Sequence, residues 1–442
     1  MTTGRANLRA AQPTVALFDW SQLLEDFLDN IGVSFEAFCR EMTGGWMFGY
    51  VEALQSAGVR VSLYCVSGRV GEPQRFTHRK TGAEICVLPA PVLYRRLRGR
   101  VLNPYAKTIE EAVGNVGEVE RLFYGTAKAL MTYFSTPLIH LARELRRDGC
   151  RALLCQDYEH GRFDCCVLMG RLTGLPVYAT FQGGEAPQRL VEIPLRHLAI
   201  RLCAGLIIPT RGERKRVCET YKVQARNIGE IFNPVEAGAR VTVDERRAAR
   251  ESLGVGENAR VAVWHGRVDF RRKGLDVLLD AWGRVCRERD GSERLLMIVG
   301  TGNDAEELRA KLAEMNLRNV HWADEYINDR AVLRRYLAAA DIYVFPSRHE
   351  GFPVAPLEAM ACGLPLVAAD AQGISDILEG GEKSGGVIVP PGCVGAFASE
   401  LKRLLGDEEL SRKFGERARL RIEESFSPAV VGAQLRRFLL SQ

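Results

Sequence analysis

Short apolar runs alternate with amphipathic stretches along the whole chain. In the first half, Val15 to Phe18, Val59 to Val66, Ala152 to Cys155, Val177 to Phe181 and Leu206 to Ile208 each read as a buried strand. Met47 to Ser56 reads as a helix. The stretch from about Ile109 to Arg147 places Leu122, Leu130, Phe134, Leu138 and Leu141 at helical spacing. The second half restarts the pattern. Strands are predicted at Arg260 to Trp264, Leu295 to Val299, Val320 to Trp322, Ile342 to Phe345 and Pro365 to Ala369. Helices are predicted at Leu275 to Arg287, Asp304 to Met315, Arg330 to Ala339 and Pro428 to Leu440. Such alternation predicts parallel sheets with crossover helices.

A polar segment from about Asn233 to Asn258 separates the halves, and Asp244 to Leu253 reads as a surface helix. At 442 residues, two domains are the default. Two halves joined by a short hinge put a cleft between them, where ligands prefer to bind.

Composition narrows the function. A net charge of +5, from 60 basic and 55 acidic residues, gives no sign of a nucleic-acid binder. The basic residues cluster once, in Tyr94-Arg95-Arg96-Leu97-Arg98-Gly99-Arg100, which suits a solvated loop, an anionic acceptor or a membrane surface. The 12 cysteines are scattered, with no CxxC pair, which argues for reduced thiols rather than zinc. Residues 1–13 lack the apolar core of a signal peptide, and no apolar stretch reaches the ~18–20 residues needed to span a bilayer. The expectation is a cytoplasmic protein, with peripheral contact at the inner face of the membrane left open.

The densest chemistry lies between Phe345 and Gly373. Glu350 and Glu358 bracket seven residues that include the turn Gly351-Phe352-Pro353-Val354. The predicted order is strand, tight loop, helix N-terminus, with Pro356 where a first helical turn tolerates it. Loop amides and a helix N-terminus can hold a diphosphate. Glu358, one turn into the helix, can accept hydrogen bonds from two vicinal hydroxyls, as on a ribose. Glu350, at the strand end, can face whatever hangs from the diphosphate.

This segment resembles the E-x7-E signature of the retaining glycosyltransferases of family 4. The match runs through Glu350-Gly351-Phe352, then Leu357 to Gly363, and Pro365. The resemblance implies an α/β protein of the GT-B fold, two Rossmann-like domains facing each other across a deep cleft. Residues 1–232 would form an acceptor-binding domain and 233–425 a donor-binding domain, with a terminal helix at about 426–442 packed back on the first. Asn233-Pro234-Val235 resembles the Asn-Gly-Val of the family's hinge.

The resemblance extends to other residues. Gly266-Arg267 followed by Lys273-Gly274 resembles the family's diphosphate clamp, and fixed cations there stabilise the leaving diphosphate without a metal. Gly300 and Gly302 match a loop lining the nucleotide pocket, where glycine permits close backbone approach. Trp322 to Tyr326 falls where relatives contact the base. Gly44 and Gly45 match a glycine pair near the donor phosphate, separated here from the first strand by the insertion Asp19 to Met42. The apolar stripe of that insertion (Trp20, Leu23, Leu24, Phe27, Leu28, Ile31, Phe35, Phe38) suits core or an acceptor lid. Many relatives carry a His where this chain has Gln182, and His160 follows another strand that could face the same cleft.

The resulting expectation is a metal-independent retaining glycosyltransferase of the hexosyltransferase type. It would use a UDP- or GDP-sugar as substrate, no cofactor, and a saccharide, lipid-linked or small-molecule acceptor. Glu350, Arg267, Lys273, Gln182 and His160 are the expected catalytic residues. Gly44, Gly45, Arg267, Lys273, Gly300, Gly302, Gly351, Phe352, Pro353, Val354 and Glu358 are the expected donor-binding ones. The alternatives are a GT-B nucleotide-sugar epimerase or phosphorylase, or a non-catalytic nucleotide-sugar-binding protein.

Overall fold

The computed structural model describes residues 12–19, 21–42, 46–101, 117–183, 192–287, 293–317, 319–327 and 329–441. Of these, residues within Met1–Met42, Tyr50–Ile231 and Gly432–Gln442 form one compact unit. Residues within Thr43–Gly49 and Phe232–Val431 form a second.

The strands of the first unit are β1 (Thr14–Phe18), β2 (Arg60–Ser67), β3 (Gln74–Thr77), β4 (Glu84–Pro89), β5 (Cys150–Cys155), β6 (Val177–Thr180), β7 (Gly205–Ile207) and β8 (Ile228–Gly229). They form one sheet in the order β3-β4-β2-β1-β5-β6-β7-β8. Only β3 runs antiparallel to its neighbour. The central strands read as continuous apolar runs because helices cover both faces of a parallel sheet. The insertion before the second strand folds into helices Leu24–Ile31 and Phe35–Arg40. Its Leu23, Leu24, Leu28 and Phe38 are buried, so this stripe is core.

The long helix predicted from Ile109 to Arg147 is, among the described residues, two helices, Glu118–Phe134 and Leu138–Arg147. Pro137 stands at the N-cap of the second. A proline lacks the amide a continuous helix needs and disfavours helical backbone in the residue before it. The end of helix Pro428–Leu440 packs on this unit. Phe438 lies against Tyr178 at 5.5 Å between ring centroids, and a Cβ on Gly432 would fall 1.9 Å from the Ala53 carbonyl.

The second unit has β9 (Arg260–His265), β10 (Arg294–Val299), β11 (Val320–Ala323), β12 (Ile342–Phe345), β13 (Leu366–Ala369) and β14 (Gly386–Val389). All are parallel, in the order β11-β10-β9-β12-β13-β14. The chain winds outward from β9 through β10 and β11, then returns to the other side of β9 and winds out again. Side chains alternate between two cores, as the period of two requires. Val261, Val263, Tyr343 and Phe345 enter one core, with Leu357, Ala359 and Met360 of helix Ala355–Ala361. Ala262, Trp264, Ile342 and Val344 enter the other, with Leu275, Leu278 and Trp282 of helix Leu275–Arg287.

Candidate functional site

In an open, doubly wound sheet, ligands bind outside the carboxyl ends of the strands where the winding reverses. In the second unit that point lies between β9 and β12. His265 ends β9, the loop after it carries Gly266, Arg267 and Lys273, and the loop after β12 carries Arg348, Glu350 and the turn leading to Glu358. Arg267, Lys273, Glu350 and Glu358 therefore all lie on the segments that follow the two strands at this winding reversal.

Backbone contacts fix the two loops together. Arg348 N donates to Arg272 O at 2.9 Å. Gly274 has φ +67°, and a Cβ there would fall 2.0 Å from Pro346 O, so only glycine lets the loop after β9 lie against the end of β12. Lys273 then reaches across, and its Nζ donates to Glu350 Oε1 at 2.6 Å. Arg348 clasps Asp276 with two bonds of 2.7 and 2.9 Å. Arg267 is exposed and has no ion pair among the described residues. Arg271 bonds Asp276, and Arg272 is exposed.

Glu358 sits in the first turn of helix Ala355–Ala361. Its Oε2 accepts from His265 Nε2 at 3.0 Å, and its Oε1 has no partner among the described residues. The Tyr326 phenol lies in reach of this charge. Burial and the Glu358 carboxylate both push the phenol above its usual range.

Several other expected donor-binding residues pack against the protein itself. Phe352 is buried and stacks on Phe232 at 5.4 Å, with Phe426 beyond at 6.3 Å. Its ring is core, and Gly351 and Pro353 beside it are buried too. Val354 is half-buried at the N-cap of the next helix. Gly300 and Gly302 do not leave their open side to a ligand. A Cβ on Gly300 would fall 2.0 Å from Gly266 O, and one on Gly302 2.2 Å from Val268 O. These glycines let the loop after β10 lie on the loop after β9, tied by Val268 N to Thr301 O at 3.0 Å. Trp322 Nε1 donates to Gly300 O at 2.9 Å, which spends the indole N–H on the same junction.

Gly44, Gly45 and Trp20 lie outside the described residues. Gln182 and His160 belong to the first unit, after the neighbouring strands β6 and β5. Gln182 bonds Thr180 Oγ1 at 3.1 Å and the Tyr50 hydroxyl. His160 is the N-cap of helix Gly161–Thr173. Burial, with the Arg196 and Arg162 charges, lowers its pKa to about 4, so its imidazole is neutral at neutral pH.

The winding of the first sheet reverses between β1 and β5, and that point is filled by protein. Arg162 NH1 donates to Asp19 Oδ1 at 2.9 Å and to the carbonyls of Asp19 and Ser21, and its NH2 to Gln22 O. The guanidinium, 5% exposed, also covers the Phe18 ring at 4.6 Å. The same topological position is thus occupied by an ion pair in one unit and lined by an exposed arginine and a half-open carboxylate in the other.

His265 and Tyr343 were read from the sequence only as strand residues, with no site role. The available signal was an ionisable residue ending an otherwise apolar strand, directly before Gly266-Arg267.

Residues 259–407 match the family Glycosyl transferases group 1. The matched region begins just before β9 and contains Arg267, Lys273, Glu350 and Glu358. Among curated proteins, the chain is 29% identical over 245 residues to a D-inositol 3-phosphate glycosyltransferase of Jonesia denitrificans, covering 53% of this chain and 57% of that protein. The chain spans less than two thirds of the length of the first such relatives. Among solved structures it resembles sucrose-phosphate synthase from Thermosynechococcus elongatus, with TM-score 0.67 and 18% identity over 96% of this chain and 98% of that one. It also resembles Anabaena HepE in complex with UDP, with TM-score 0.67 and 14% identity over 97% and 100% of the two chains. The fold is GT-B, and each of its two α/β units is built on a largely parallel sheet.

Proposed function

We propose that the chain is a metal-independent retaining glycosyltransferase that takes a UDP- or GDP-sugar as donor. The carrying observation is the convergence of Lys273, Glu350 and Glu358, with exposed Arg267 nearby in the chain, at the winding reversal of the second sheet. The group 1 match over that region and the UDP complex of a fold neighbour support the reading.

In this reading Arg267 and Lys273 hold the diphosphate, Glu358 takes the ribose hydroxyls, and Glu350 orients the donor sugar. The acceptor belongs to the first unit, where Gln182 and His160 are the expected catalytic groups. The bond from the anomeric carbon to the diphosphate oxygen breaks, and a bond to the acceptor oxygen forms on the same face. The acceptor proton passes to the departing diphosphate, so no carboxylate nucleophile is required. Cations fixed beside the developing charge stabilise it in the transition state.

A thermal-shift series over UDP-, GDP- and ADP-sugars tests the donor. A ligand at 100 times its Kd adds about 2.7 kcal/mol of stability. Failure of all three to raise the melting temperature would overturn the reading. Binding without transfer to any acceptor, or an epimerised or phosphorolysed product, would favour the other GT-B activities. An NMR assignment of the product's anomeric configuration tests retention.

We also infer a peripheral contact with an anionic lipid surface through the first unit. No helix among the described residues is long and apolar enough to cross a membrane. Helix Glu118–Phe134 nevertheless exposes Val119, Leu122, Phe123, Leu130 and Phe134. Helix Val92–Val101, packed beside it, exposes Val92, Leu93, Arg95 and Arg96. Apolar side chains beside arginines complement acyl chains beneath anionic headgroups. Co-sedimentation with phosphatidylglycerol vesicles but not phosphatidylcholine vesicles is expected, and equal absence from both would refute it.

A further inference from the structure

We propose that His265 is a positioning residue that holds Glu358 in the orientation needed to take a ribose, and so sets the preference for a ribonucleotide. The inference rests on the ribose role given to Glu358 above. It adds a residue that acts through Glu358 without touching the ligand.

Three observations carry it. The first is the bond itself. A carboxylate only accepts, so at the 3.0 Å contact the proton must sit on His265 Nε2. That bond occupies Oε2 and leaves Oε1 without a partner among the described residues. A glutamate has three side-chain torsions, and a free one would have to be ordered by the ligand, at a cost in affinity. His265 orders it beforehand.

The second is how firmly His265 is held. It ends β9, where it pairs with Val299 of β10. Its carbonyl accepts from the Tyr343 hydroxyl at 3.2 Å, and the two rings meet edge to face with centroids 5.3 Å apart. Tyr343 is fully buried. By strand alternation His265 shares the face of Val261 and Val263, the face on which Glu358's helix packs.

The third is a cost. His265 Nδ1 is buried and has no hydrogen-bond partner among the described residues. A stranded buried polar atom is unfavourable, and a phenylalanine would keep the ring contact without it. An imidazole here is therefore explained by what Nε2 does.

The test measures binding of UDP, GDP and their 3′-deoxy and 2′-deoxy counterparts by calorimetry. The proteins are the wild type, His265→Phe, His265→Gln, His265→Asn and Glu358→Gln. The wild type should prefer the ribonucleotide by roughly tenfold or more, as for a hydrogen bond to a charged group. His265→Phe should lower that preference to within about threefold, with little change in the affinity of the deoxy ligands. Gln places an amide nitrogen near the Nε2 position and should restore the preference. Asn, equally polar but shorter, should not. The Gln–Asn contrast holds even if the Phe variant folds poorly. Loss of preference in Glu358→Gln but full preference in both the Phe and Asn variants would overturn the role of His265 alone. A wild type that binds UDP or GDP without preferring the ribose would overturn the role of Glu358, and this inference with it. A wild type that binds neither would overturn the proposed function.

Discussion

Lys273 Nζ and Glu350 Oε1 lie 2.6 Å apart, and the glutamate is 9% exposed in its side chain. Two residues assigned to different parts of a donor are therefore partners of each other. In the proposed reading, a diphosphate arriving at Lys273 would share the ammonium with Glu350.

Opposite effects on binding and turnover should follow. Lys273→Ala removes a cation and leaves a nearly buried carboxylate unpaired. Nucleoside-diphosphate binding should weaken and transfer should slow by ~10²–10³-fold. Glu350→Gln keeps the shape and frees the ammonium. Affinity for UDP or GDP should then hold or improve while kcat falls roughly tenfold or more. Glu358→Gln should instead act mainly on the donor KM, because ribose contacts persist from ground state to transition state. Calorimetry and steady-state kinetics on the three variants decide this, and wild-type diphosphate affinity in Lys273→Ala would sink the clamp.

Metal independence is a separate expectation. The proposed clamp consists of side-chain cations, and the sequence has no Asp-x-Asp triplet. Transfer should survive EDTA. Complete loss in chelator, restored by Mn²⁺ or Mg²⁺, would show that the mechanism is wrong.

Gly300 tests the junction of loops behind the site. It has φ +130°, and its Cβ would collide with Gly266 O. Gly300→Ala should cost on the order of 2–4 kcal/mol and lower the melting temperature of the second unit by roughly 5–10 °C. An unchanged melting temperature would mean that the two loops are not packed this way.

Acid–base behaviour should distinguish the first unit. Burial raises Asp157 to about 7 and Glu159 to about 8, against Coulombic help from Arg196 and Arg216 respectively. Their folded-state pKa values lie above the unfolded ones, so the stability they contribute is full below their unfolded values near 4 and lost as pH rises towards 7 and 8. His160 runs the other way: its pKa is lowered from 6.5 to about 4, so its contribution is full above 6.5 and lost as pH falls. Between about 4 and 6.5 the two effects oppose each other. From 6.5 to 8 the carboxyls act alone, and stability should fall. Glu159→Gln should flatten that decline. A pH series of melting temperatures checks it, and an identical slope in the variant would contradict the raised Glu159.

The fold class and the strand–loop–helix around the two glutamates were legible in the sequence. Ile342 to Phe345 is a strand as its apolar run predicts, and helix Ala355–Ala361 carries Glu358 in its first turn. Arginine-rich Asp244 to Leu253 also forms a helix, Val243–Ser252, although it buries Ala249 and Arg250. Where the Phe352 ring goes was not legible, because its motif position says nothing of its neighbours. Phe232 and Phe426 are remote in sequence, and their contact with Phe352 sends the ring into the core.

The sequence by itself determined the alternation of strands and helices, the parallel sheets it implies, and the motif that brings a glutamate to each end of a turn. Those features are local: a period of two or 3.6 and a run of turn residues are read within a dozen positions. Only the tertiary structure decided which groups meet. Lys273 and Glu350 are 77 residues apart, His265 and Glu358 93, and Arg162 and Asp19 143. The parallel crossovers place β9 beside β12 and β1 beside β5, whatever chain lies between. Strand alternation then decides which face each side chain enters. That geometry plugs the winding reversal of the first sheet with Arg162 and lines the second with a lysine, an exposed arginine and two glutamates.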